Sequence, residues 1–148
     1  MANTYVKNIL HIVFHTKPQG ISLAPSDLDR IHKYIGGIVK GTGAVLIEIG
    51  GMPDHVHLLV SLPKTMALSD FVRNIKAESS RWIKGVSPFY RSFSWQEGYG
   101  AFSVSTSIVP RVVNYIRNQE SHHKVQTFMD EYKSFLKAHG IDYDERYL

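Results

Sequence analysis

A chain of 148 residues, 43% of them hydrophobic, carries enough apolar material for one domain over 1–148 and too little length for two independent cores. Seventeen Lys and Arg against thirteen Asp and Glu give a net charge of +4, a bias toward polyanionic partners such as nucleic acid. The absence of cysteine excludes a disulfide framework and a thiolate zinc site, no apolar run approaches the ~20 residues of a membrane span, and the stretch from Ile9 to Phe14 is interrupted by His11 with no cleavage site behind it, so the expectation is a cytoplasmic protein with no membrane partner.

Tyr5 to His15 mixes β-branched and aromatic residues and reads as a central strand. Ser26 with Asp29 resembles a capping arrangement, and Leu28, Ile31, Ile35, Ile38 and Val39 recur at helical spacing until Gly41 and Gly43. Ala44 to Ile49 and Val56 to Leu62 are two strand-like stretches, and Gly50, Gly51, Pro53 and Asp54 between them predict an antiparallel pair joined by a turn. A second helix is expected from Ser69 to Lys84, with Phe71, Val72, Ile75, Trp82 and Ile83 on its apolar side. The later part of Phe93 to Ser105 reads as a fourth strand, preceded by an irregularity at Gly98 and Gly100. Helices from about Ile108 to His122 and from Thr127 to Gly140 complete the chain, the last burying Phe128, Tyr132, Phe135 and Leu136. The order βαββαβ predicts an α+β fold: a ferredoxin-like or RRM-like antiparallel sheet with helices on one face, plus C-terminal helices.

His55 and His57 flank Val56 at the start of the third strand. Alternation turns both imidazoles to one face, with Cα atoms about 6.5–7 Å apart, close enough to converge on one ion. Two ordinary histidines at the entry of a buried strand would read the same way. Tyr115 and Gln119 lie four apart on a predicted helix whose core side is Val109, Val112, Val113 and Ile116, so they share a face. A tyrosine hydroxyl is a nucleophile, and an amide oxygen can complete a site begun by two imidazoles; a tyrosine at the edge of a core is the plainer alternative. On the second helix Arg73, Lys76, Ser80 and Lys84 form a polar stripe that either tracks phosphates or is a solvated face. Trp95, Tyr99 and Phe102 serve equally as stacking platforms for bases or as core.

Three blocks together resemble the single-tyrosine HUH transposases of small bacterial insertion sequences and the related enzymes of repetitive extragenic palindromes. They are Pro53-Asp54-His55-Val56-His57-Leu58-Leu59-Val60, Trp95-Gln96-Glu97-Gly98-Tyr99-Gly100-Ala101-Phe102-Ser103-Val104, and Tyr115 to Gln119 followed by Glu120, His122 and His123. The resemblance spans essentially the whole chain. It implies that His55, His57 and Gln119 hold a divalent metal ion, magnesium or manganese, and that Tyr115 attacks a phosphodiester of single-stranded DNA bearing a hairpin at the element ends. The product would be a 5′-phosphotyrosine and a free 3′-hydroxyl, later rejoined without ATP. It further implies a homodimer with His55 and His57 from one subunit and Tyr115 and Gln119 from the other, although spacing alone allows either subunit to supply the tyrosine helix.

Other classes make different demands. A non-catalytic nucleic-acid-binding module of this topology does not call for His55, His57, Tyr115 and Gln119 together. A histidine-triad hydrolase asks for a third alternating histidine where Leu59 stands. Replication initiators and relaxases share the HUH chemistry but are generally larger.

Overall fold

A computed structural model describes residues 3–122 and 126–148 of the chain. Strand β1 (Ile9–His15) leads into helix α1 (Leu28–Gly41), then the hairpin β2 (Val45–Met52) and β3 (His55–Ser61), helix α2 (Leu68–Val86), strand β4 (Gly100–Ser103) and the helices α3 (Val109–Arg117), α4 (Gln119–His122) and α5 (Phe128–Ala138). The strands order as β2-β3-β1-β4, every pair antiparallel, so β1 and β3 are central. This is the expected βαββαβ sheet.

Alternation along the central strands builds two different faces. Ile12, Phe14, Val56, Leu58 and Val60 point one way and join Ile31, Ile35 and Val39 of α1 and Phe71, Val72, Ile75 and Ile83 of α2 in the main core. On the other face Ile9 and Leu59 pack with Ile116 of α3, while Val13 and Phe102 pack with Phe128, Tyr132 and Leu136 of α5. The C-terminal helices thus close the second face. His11, His15, His55 and His57 share the parity of this face and are all buried.

Several local expectations are corrected. The first strand begins at Ile9, because Tyr5 and Val6 lie exposed and unpaired with the sheet; a pattern of β-formers does not reveal whether a partner strand is present. Ser26 caps nothing: Pro25–Asp27 forms a 3-10 turn, and Asp27 instead accepts a 2.6 Å hydrogen bond from the Tyr90 hydroxyl. Gly50 and Gly51 lie within β2, leaving Pro53 and Asp54 as the turn. The helix expected from Ile108 to His122 opens with a 3-10 turn at Thr106–Ile108 and breaks at Asn118. At the last helix the expectation holds, with the Thr127 side chain accepting the Asp130 N–H as N-cap.

Candidate active site

Glycine sets the approach of the tyrosine helix. A Cβ at Gly50 would stand 2.8 Å from Ile116 Cγ2 and 2.9 Å from the Ile116 carbonyl oxygen, so only glycine allows α3 to lie this close to β2. Ile116 is fully buried there, and its neighbours Tyr115 and Gln119 are carried to the histidine face. Tyr115 ends up on α3 and Gln119 at the first position of α4, so the two converge across a helix break rather than along one helical face.

Each imidazole is gripped on both nitrogens. His55 Nδ1 lies 2.7 Å from Asp54 Oδ1 and its Nε2 2.8 Å from Gln119 Oε1; His57 Nδ1 lies 2.8 Å from His11 Nε2 and its Nε2 2.9 Å from Glu131 Oε1. Phe128 stacks on the His55 ring, with centroids 4.2 Å apart. The hydrogen bonds on the Nδ1 side fix the orientation of the rings, which turns both Nε2 atoms toward a common centre. Ligand atoms of His55, His57 and Glu131 fall within 4.8 Å of one another.

Glu131 of α5 was missed by the sequence reading and occupies the middle of the site. Its carboxylate accepts hydrogen bonds from the Tyr115 hydroxyl and, at 3.2 Å, from Gln119 Nε2, in addition to its contact with His57. Burial opposes its charge, but the hydrogen bond and charge of His57, the Tyr115 hydroxyl and the charge of His55 outweigh burial and hold the carboxyl down at about 2. Tyr115 shifts the opposite way: burial, then the hydrogen bond and charge of Glu131, push its hydroxyl well above the ordinary phenol range. In this arrangement the phenol is a held donor, not a phenolate. A signal existed in the sequence, since Glu131 sits three after Phe128 and four before Phe135, a carboxylate on the apolar stripe of its helix. His11 was likewise legible, sharing the parity of Val13 on a buried strand face, and burial followed by the charge of His57 lowers it to about 3.

The remaining candidates stand apart. Arg73 and Lys84 are exposed on α2, across the sheet from the histidines, and Arg73 pairs with Asp70 at 2.6 Å. Lys76 donates to the carbonyls of Gln96 and Gly98 at 2.7 and 2.8 Å, bracing the loop before β4. Trp95 is core: it donates to Ser79 and meets Phe14 edge-on. Phe102 stacks on Phe135, and Tyr99 packs at the margin of the main core. His123 lies outside the described residues.

The site is thus a buried histidine pair facing a tyrosine on an antiparallel sheet of this order. The chain belongs to the transposase family described as "Transposase IS200 like", whose sequence profile matches residues 4–119. It is 27% identical over 114 residues to the ISDra2 transposase TnpA of Deinococcus radiodurans, an alignment covering 74% of this chain and 81% of that protein. Among solved structures it is similar to one described as a transposase from Deinococcus radiodurans, with a TM-score of 0.62 and 26% identity over 80% of this chain and 96% of that one. It also shares its fold, at a TM-score of 0.61 and 17% identity, with a REP-associated tyrosine transposase bound to a REP hairpin, over 83% of this chain and 73% of that one.

Proposed function

We propose that this IS200-like transposase cleaves and rejoins single-stranded DNA through Tyr115. The observation that carries the reading is the convergence of the Tyr115 hydroxyl, His55 Nε2, His57 Nε2, Gln119 Oε1 and Glu131 in one buried cluster. Tyr115 Oη would attack the phosphorus of a phosphodiester, forming the Oη–P bond as the P–O3′ bond breaks. The strand on one side becomes a 5′-phosphotyrosine; the other leaves with its 3′-hydroxyl, which takes up a proton. Attack by a second 3′-hydroxyl reverses the balance and restores the phenol. Glu131 already accepts the hydrogen bond of the phenol and would orient its oxygen for the attack.

The donor set fits a divalent ion. If the His55 Nδ1 proton serves Asp54, then His55 Nε2 and Gln119 Oε1 present lone pairs to each other 2.8 Å apart, an arrangement that a proton or a cation must reconcile. His55, His57 and Gln119, with Glu131 as a fourth oxygen donor, would hold magnesium or manganese; the two imidazoles lean toward manganese in isolation. Such an ion, when bound, supplies positive charge to the phosphoryl oxygens as negative charge develops.

Exposed Arg73 and Lys84 are proposed to meet the phosphates of a DNA hairpin, the kind of partner held by the REP-associated relative. Lys76, committed to carbonyls, acts by shaping the loop from Gln96 to Gly98. A homodimer is proposed as well, with His55 and His57 of one subunit joined by Tyr115 and Gln119 either of the same subunit or, with α3 exchanged, of the other.

Incubation with labelled single strands from the DNA flanking the gene tests the reading. A covalent protein–DNA adduct that requires divalent metal and disappears with chelator is expected. An adduct of equal yield in chelator would remove the metal from the account.

A further inference from the structure

We infer that a cavity at the β2 edge seats an unpaired nucleobase beside the cleaved phosphate, with His32 reading the edge of that base; this rests on the single-strand cleavage proposed above. The cavity measures about 540 Å³, lies between α1 on one side and α3 and α4 on the other, and is lined by Leu28, His32, Met52, Ile116, Arg117 and Gln119 among others. Its size is that of small-molecule sites, roughly 300–1,000 Å³.

Position is the first argument. Gln119 belongs both to the wall of this cavity and to the cluster that holds His55, so the cavity begins one side chain away from the reacting centre. Chemistry is the second argument. Leu28 and Met52 offer apolar contact to the faces of a ring, and Arg117, held by Glu48 at 2.7 Å, puts a cation at the rim for the adjoining phosphate.

His32 is the third. Its Nε2 is buried and has no hydrogen-bond partner among the described residues, an unfavourable state for a polar atom in a native fold. Burial, against the charge of Asp29, keeps the imidazole below its usual range, so near neutral pH it offers one donor and one acceptor. The terminal torsion of a histidine is soft and roughly two-fold, so the ring can turn a nitrogen into the cavity it lines. A base edge with complementary donor and acceptor would satisfy it. A base kept in a duplex could not enter, which matches an enzyme acting on unpaired DNA.

The experiment places 2-aminopurine at each position in turn along a single strand that contains the cut, and follows its emission on binding to the parent, His32→Leu and Leu28→Trp proteins. One position flanking the cut should brighten with the parent as its base leaves the stack, and that signal should be absent in both variants while they keep their fold by circular dichroism. Adducts should still form on Tyr115 in His32→Leu, but its preference among the four natural bases at that position should fall by about 5- to 100-fold, the range for loss of one base-edge contact. Brightening that survives in both variants, or an unchanged base preference in His32→Leu, would overturn the assignment of the cavity. A parent that brightens at one position but forms no adduct would refute the cleavage reading and leave the base seat standing; an adduct with no brightening at any position would do the reverse.

Discussion

His11 shows how much of a reactive centre depends on residues that do none of its chemistry. Its Nε2 lies 2.8 Å from His57 Nδ1, and its ring packs edge-on against Phe135 at 5.1 Å, so it fixes the direction in which His57 presents Nε2. His11→Leu should keep the fold yet weaken metal affinity by about 10–100-fold, the usual effect of losing a hydrogen bond behind a ligand. His11→Gln can donate or accept at the same place and should recover most of that loss in titration calorimetry. Stability should report the same residue. The folded-state value of about 3 lies below the ordinary 6.5, so the unfolded chain binds the extra proton and stability falls as pH drops from 6.5 toward 3. Urea midpoints measured across that window should decline less steeply in His11→Leu; a slope equal to the parent would mean that His11 protonates without cost. His15 and His32, also lowered by burial, leave part of the slope in place.

Glu131 carries the opposite lesson about the phenol. Burial, the hydrogen bond and the charge of Glu131 all raise Tyr115, so Glu131→Gln should let it ionise at lower pH, seen as an earlier rise of phenolate absorbance assigned by difference from Tyr115→Phe. An unchanged titration would detach the carboxylate from the nucleophile. Side chains such as His55, His57 and Tyr115 stand out in the sequence because they recur in recognisable blocks. Glu131 and His11 announce themselves only as polar residues at buried positions, a signal that needs the register of each element before it can be read.

Among the elements, α3 depends most on a neighbour far away in sequence. Gly50→Ala forces Cβ to within 3 Å of both the side chain and the backbone of Ile116, a clash expected to cost about 1–3 kcal/mol. Because Tyr115 rides on the displaced helix, adduct formation should fall by more than the stability loss explains, and metal affinity should fall less than adduct formation because His55 and His57 stay on β3. Parallel losses in all three would make Gly50 a matter of stability alone. The sequence suggested that Gly50 and Gly51 make a turn, since glycine marks turns more often than contacts between helix and strand. The break at Asn118 was equally hidden, because no glycine or proline between Asn118 and His122 punctuates the helix.

At the scale of the whole molecule, the chain order of strands and the main helices followed from periodicity and punctuation, as with Leu28 to Val39 and the residues around His55. What periodicity could not supply was the destination of the C-terminal helices. They close the second face of the sheet and bring Glu131 into the histidine cluster, a long-range choice that no local pattern encodes. That closure occurs within one chain. If each protomer's own α3 serves its site, mixing a His55→Ala, His57→Ala subunit with a Tyr115→Phe subunit should leave both inactive, even in a heterodimer verified by mass. An adduct on the histidine-deficient chain would mean that α3 is exchanged between protomers.

The central claim is that Tyr115 becomes covalently joined to DNA, and peptide mapping by mass spectrometry tests it most directly. Protein incubated with single-stranded DNA and manganese, then digested with nuclease and protease, should yield a nucleotide attached to the peptide containing Tyr115. Tyr115→Phe, which removes only the hydroxyl, should still fold and bind the DNA but give no such peptide. A nucleotide found on any other residue, or an adduct of undiminished yield in Tyr115→Phe, would contradict the account.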